Sequence, residues 1–159
     1  MKYGNGNLVV EDSRIKGVWK EYYSKLLNEE FPWDRNGLED VSVKYECSEQ
    51  FSKDEVRVAI NAAKSEKSPG PSGVAAEMLK TSGEAGIQWV MDICNAVVKD
   101  GVVPEDWKRS LMVSVYKGKG DALECGSYRG IKLMDHVLKV LERLVEKRLR
   151  DRVSLDDMQ

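Results

Sequence analysis

The sequence predicts a mainly helical α+β fold carrying one small antiparallel β-hairpin. Apolar residues recur at helical spacing in four separate stretches, whereas only residues 111–116 and 127–133 combine β-rich composition with alternation. The chain has 159 residues, 42% hydrophobic and 33% charged, which suits a single helical core under a well-solvated surface. A chain of this size buries roughly two-thirds of its unfolded surface, so a wholly disordered protein is excluded. No run approaches the ~18 consecutive apolar residues of a membrane span, and MKYGNGNLVVEDSRIK lacks a signal-peptide core. The expectation is a soluble, intracellular protein without a membrane partner, with cytoplasm and nucleus both left open.

The first helix is expected from Ser13 to Glu30. Ile15, Val18, Trp19, Tyr22, Tyr23, Leu26 and Leu27 share one face, Asp12 or Ser13 caps it, and Phe31–Pro32 stops it. Aromatic residues at this spacing point to core packing before binding. Gly17 costs about 1 kcal/mol relative to Ala, so tertiary contacts must sustain the helix. Residues 33–50 show no period and read as a connector. Ser52 and Glu55 then form a capping box, with Phe51 able to staple onto Val56, and Val56, Ala59, Ile60 and Ala63 mark a short helix ending near Lys64.

KSEKSPGPSG, at 64–73, breaks any regular element, because Pro69 and Pro71 push their predecessors toward extended geometry and Gly70 and Gly73 admit unusual dihedrals. Such a segment is a plain surface turn or a rigid, Lys-flanked turn whose free amides approach a phosphate chain. Ser72 is expected to cap a helix from Gly73 to Lys80. A longer helix follows from about Glu84, with Ile87, Val90, Met91, Cys94, Val97 and Val98 on one face and Gly101 as its left-handed cap. Pro104 to Trp107 makes a turn.

The two β-like runs, LMVSVY and SYRGIKL, flank KGKGDALECG, a loop long for a hairpin and rich in glycine and charge. Residues 134–153 form the last helix, with Val137, Leu141, Leu144, Val145 and Leu149 inward and Lys139, Arg143, Lys147, Arg148, Arg150 and Arg152 on its other faces. No internal repeat is present.

Charge is uneven along the chain. The first 98 residues carry 12 Lys+Arg against 16 Asp+Glu, while residues 99–152 carry 13 against 9. A basic excess confined to one segment marks a place where a polyanion docks, or a charge-laced helix surface. Cys47, Cys94 and Cys125 stand far apart with no CxxC, and the one histidine, His136, completes no ligand set. Three reduced thiols and no metal are expected.

Three ordered segments carry a family resemblance: KSPGPSGVAAEMLK at 67–80, VPEDWKRSLMVSVYKGKGD at 103–121, and CGSYRGIKLMDHVLKVLERLVEKRLRDRV at 125–153. Together they resemble the N-terminal fingers of reverse transcriptases from non-LTR (LINE-type) retrotransposons. VWKEYYSKLLNEE at 18–30 is similar to the segment that precedes those fingers. The resemblance implies an N-terminal helical extension and connector over 1–50 and a fingers segment over 51–159, truncated before the palm.

In the family the turn usually reads P-G-P-D-G; here it is Pro69, Gly70, Pro71, Ser72 and Gly73, so a carboxylate is lost at 72 while a good helix cap remains. By the same resemblance, Lys117 and Arg129 occupy the places that meet the incoming nucleotide and template, with Lys119 as their neighbour. A triphosphate needs fixed cations, and guanidinium binds phosphate through a bidentate fork. The implied partners are an RNA template, a DNA primer, a dNTP and the missing palm and thumb.

Nucleotidyl transfer of this class uses two metal ions held by carboxylates. The family's aspartates lie in the palm, so no catalytic residue is assigned here and Mg²⁺ is expected only with that missing part. Asp156–Asp157 follows Val153-Ser154-Leu155 at the end of a basic helix, without a β-pattern, and is rejected as a metal site. The expectation is a fingers fragment of an RNA-directed DNA polymerase that does not polymerise alone and self-associates through uncovered apolar surface. The alternative is a non-enzymatic helical interaction or RNA-binding remnant.

Overall fold

The computed structural model describes residues 1–3, 6–30 and 49–152. The 33–50 connector, apart from residues 49 and 50, lies outside the described residues, as do the Phe31–Pro32 stop, Cys47 and Asp156–Asp157. The elements run β1 (Lys2–Tyr3), β2 (Asn7–Leu8), α1 (Asp12–Leu27), α2 (Lys53–Asn61), α3 (Ala76–Thr81), α4 (Gly83–Asp100), β3 (Leu111–Tyr116), β4 (Tyr128–Leu133) and α5 (His136–Arg152). The fold is mainly helical with a small antiparallel β3–β4 hairpin, as expected. A second pair was not foreseen: β1 and β2 are antiparallel, with Lys2 opposite Leu8 and Tyr3 opposite Asn7. Two-residue strands are too short to show alternation.

Contacts group the chain into two compact units, Met1–Lys44 with Val113–Ile131, and Tyr45–Met112 with Lys132–Gln159. The first unit joins the middle of the hairpin to the N-terminal helix.

The second unit is built on aliphatic packing. Its core draws Phe51, Val56 and Ile60 from α2 and its entry, Leu79 from α3, Ile87, Val90, Cys94 and Val97 from α4, and Val137, Val140, Leu141 and Leu144 from α5. Removing these groups from water is the main driving force for the unit. The capping box at Ser52 and Glu55 forms as read, each side chain receiving the other's backbone N–H. Asn95 on α4 grips the entry to α2 from both sides: its amide oxygen accepts from Phe51 N–H at 2.7 Å and its amide nitrogen donates to Phe51 C=O at 3.2 Å. Gly101 closes α4 with φ 65°, the left-handed cap the sequence called for.

Several boundaries differ. α2 ends at Asn61, not near Lys64. α3 begins at Ala76 and no side chain caps it, because Ser72 turns elsewhere. On α1 the capping position is Glu11, with Asp12 already helical and Ser13 Oγ donating to Glu11 at 2.9 Å.

The inward line of α5 also departs from expectation. Val145 and Leu149 are exposed, at 38% and 55%, while the buried line runs Val137, Val140, Leu141, Leu144. One further turn along that line is Arg148, as 3.6 residues per turn requires. Its guanidinium lies 4.2 Å over the Phe51 ring, donates to Glu55 at 3.1 Å and to Gln50 C=O at 3.0 Å, and also reaches Glu49 C=O. Arg148 is thus a clamp on the start of α2 and no solvated surface charge. Burial alone raises the Glu55 carboxyl; the bonds from Arg148 and Ser52 overcome it and bring the group down to about 2.

The first unit is aromatic. Trp19 stacks on Tyr23 (5.7 Å) and meets Tyr22 and Tyr128 edge-on at 6.1 and 5.0 Å. The α1 stripe therefore packs, as its spacing suggests, although Leu26 and Leu27 in its last turn are exposed. Cys94 and Cys125 are buried free thiols, and burial pushes Cys94 up to about 12.

Candidate nucleic-acid interface

Lys117, Lys119 and Arg129 all belong to the first unit, on the loop and strands of the β3–β4 hairpin. Tyr116 and Tyr128 touch, with ring centroids 5.3 Å apart, and Tyr23 Oη bonds Ser114 Oγ at 2.9 Å. Residues 114, 116 and 128 thus share the face that packs on α1. Side chains alternate along a strand, so Val113, Val115, Arg129 and Ile131 stand on the opposite face. All four are exposed. The outer face is an apolar surface carrying a single guanidinium.

The loop between the strands is held by its own backbone. Lys117 N–H donates to Ser127 C=O at 2.9 Å, continuing the strand pairing, and Lys117 Nζ donates to Gly126 C=O at 2.8 Å. Tyr116 and Tyr128 hydroxyls donate to Gly120 and Ala122 carbonyls at 2.7 and 2.9 Å. Lys2, from β1, pairs with Asp121 at 2.5 Å, and its N–H bonds Leu123 C=O. That contact holds the Lys2 ammonium above and the Asp121 carboxyl below their usual ranges. Lys119 and Arg129 are exposed and make no ion pair among the described residues.

The 69–73 turn belongs to the second unit and is closed by a Gly73 N–H to Gly70 C=O bond of 3.1 Å. The Ser72 and Gly73 amides are taken. Ser72 N–H donates to Asp135 Oδ1 at 3.1 Å and Val74 N–H to Ser72 Oγ at 3.3 Å. The Ser72 end of the turn faces a buried carboxylate. Asp135, at 2% exposed, was missed because nothing in its own neighbourhood announces it; its partners are 63 residues away.

Beside it, His136 is 4% exposed, and its Nε2 has no hydrogen-bond partner among the described residues. Burial and the Lys139 charge lower its basicity. Among the described residues no three His, Cys, Asp or Glu side chains converge as metal ligands. No helix among them is long and apolar enough to cross a membrane.

No protein-family model matches the chain. Individual relatives do. The chain is 26% identical over 144 residues to the Pol polyprotein of the type-1 retrotransposable element R1 of Bradysia coprophila, covering 87% of this chain and 14% of that protein. It is 28% identical over 148 residues to a 115 kDa protein of the R1DM element of Drosophila melanogaster, covering 92% and 14%. With the RNA-directed DNA polymerase of the mobile element jockey, from the same fly, identity is 26% over 96 residues, 60% of this chain and 10% of that protein. The homologues are non-LTR retrotransposon proteins. The similarity is at low identity, and the chain spans about a seventh of the R1 relatives' length.

Proposed function

We propose that this chain is the fingers portion of a non-LTR retrotransposon RNA-directed DNA polymerase, with template and nucleotide phosphates met by Arg129, Lys117 and Lys119. The observation that carries the reading is Arg129. It is a cation exposed on the outer face of the hairpin, where the strand alternation gives it no partner among the described side chains of that face. A guanidinium so displayed offers a planar fork to phosphate oxygens. Lys117 supports it: an ammonium has three donors, and one is fixed on Gly126 C=O, which holds the group in place and leaves two for an anion. In the whole polymerase the partners are an RNA template, a DNA primer and a dNTP, and metal chemistry belongs to the palm that completes it.

The test is binding of labelled RNA or a template–primer duplex to the chain across a salt series. Affinity is expected to fall steeply with salt, and Arg129→Ala to lower it and reduce the slope of log K against log salt by roughly 0.7 to 0.9. Lys117→Ala acts in the same direction with a smaller effect. Indifference to both substitutions favours the interaction remnant over the fingers. Primer extension by the chain alone, with Mg²⁺ or Mn²⁺, is expected to give no product, and templated incorporation would contradict that.

Self-association belongs to the same reading. Val113, Val115 and Ile131 on the hairpin and Val145 and Leu149 on α5 are apolar groups left in solvent. Sedimentation velocity is expected to show concentration-dependent growth in mass; a single monomeric species at high concentration speaks against it.

A further inference from the structure

The turn at 69–73 and the start of α5 meet through atoms that leave no slack. A Cβ added at Gly70 would lie 2.5 Å from Asp135 N, 2.6 Å from Met134 C and 2.8 Å from Asp135 Oδ1. The Asp135 carboxylate is 2% exposed, and its Oδ1 accepts both the Ser72 N–H, at 3.1 Å, and the Ser72 hydroxyl, at 2.5 Å. Asp135 also stands at the capping position of α5, where its C=O accepts the Lys139 N–H at 3.2 Å. A buried carboxylate is retained only where hydrogen bonds satisfy it, and here the turn supplies them.

We infer that Asp135 is a positioning residue that fastens the 69–73 turn to the head of α5, supplying from the helix the carboxylate that the turn lacks at position 72. The second half of this inference rests on the reverse-transcriptase reading, since only that resemblance puts an Asp at 72. The first half stands on the contacts alone. The carboxylate is an anchor: shut away from solvent and bonded twice to Ser72, it holds the backbone of the turn.

The side-chain bond needs one carboxylate, on either side, whereas the Ser72 N–H needs an acceptor at 135, which a serine hydroxyl oxygen offers more weakly. Two carboxylates in the same buried place repel, and two hydroxyls leave the anchor weak. The experiment is a double-mutant cycle on the whole chain by guanidinium denaturation: Ser72→Asp, Asp135→Ser, and the exchange of both. Each single substitution is expected to raise the unfolding equilibrium constant about tenfold or more, and the exchange to raise it clearly less than the product of the two. An exchange no better than the product of its singles overturns the inference. If Ser72→Asp alone fails to fold, cooperative folding of the exchanged protein supports the latch and its failure to fold overturns it.

Amide hydrogen exchange separates positioning from general packing. Asp135→Ser is expected to accelerate exchange at Ser72 selectively, with Val90 and Val140 in the core still protected; uniform acceleration would overturn the positioning role. RNA binding is measured separately on the same proteins. Loss of the salt-dependent RNA signal in the parent counts against the polymerase reading and leaves the cycle intact, whereas an additive cycle counts against the latch whatever the RNA result.

Discussion

Two connections in this protein look alike on paper and are held in opposite ways. Residues 64–73 and 117–126 are both short, rich in glycine and lysine, and without periodicity. The first is clasped from outside itself: Gly70 lies against the backbone of Met134 and Asp135, and Ser72 bonds a carboxylate at the head of α5. The second is supported mainly by bonds among its own residues and those flanking it, with Lys2 as an added tie, and its lysines stay in solvent. The contrast teaches that a glycine has two separate reasons to be required. Gly70 is required because another backbone occupies the place of a side chain, whereas Gly118 is required by its own φ of 75°, with nothing within 4 Å of where a Cβ would sit.

The sharpest way to break this comparison is Gly70→Ala. The clash is with backbone, which cannot rotate away, so a loss of about 3 kcal/mol or more is expected in chemical denaturation. A loss below about 1 kcal/mol would mean that the head of α5 yields, and the turn would no longer count as clasped.

Acid gives the next effect. His136 sits beside Asp135, buried, and faces the Lys67 backbone, Glu77, Lys139 and Arg143. Burial and Lys139 lower its folded pKa, so the neutral ring is the folded form. Its contribution is complete above the unfolded value of about 6.5, and declines as pH falls through that value toward the folded one, with a slope of at most about 1.4 kcal/mol per pH unit. Stability measured against pH is expected to fall over that window in the parent and to flatten in a His136→Gln variant. An unchanged profile in the variant removes histidine from the account.

Gly118→Ala is the smallest of the three. Strain from a left-handed alanine amounts to about 1 kcal/mol, with no clash added. A cost equal to that of Gly70→Ala would erase the distinction between the two connections.

The legible parts of this fold are those whose signals lie within a few residues of one another. The Ser52–Glu55 box, the α4 stripe with Gly101 behind it and the two β-like runs were readable because caps and periods are local interactions. Where the reading slipped, a distant partner had outbid the local one. Ser72 is a good cap by type, yet it serves Asp135, and α3 starts uncapped at Ala76. Arg148 reads as one more surface cation, yet it lies on the inward line of α5 and bonds Glu55, 93 residues away. Among the candidate site residues, the sequence resemblance singled out Lys117, Lys119 and Arg129. Which face of the hairpin carries Arg129 had to wait for the Tyr116–Tyr128 contact.

By itself, then, the sequence determined the helical character, the small β3–β4 hairpin and the kinship with retrotransposon proteins, since composition, period and motif order are all written along the chain. Only the tertiary structure decided that Asp135 anchors the turn, that Arg148 clamps α2, and that the hairpin packs its tyrosines on α1 and leaves Arg129 outside. The physical reason is the same in each case. A buried carboxylate, a desolvated guanidinium or a packed aromatic face is stable only in the presence of its partner, and those partners lie on other elements, where no local pattern points to them.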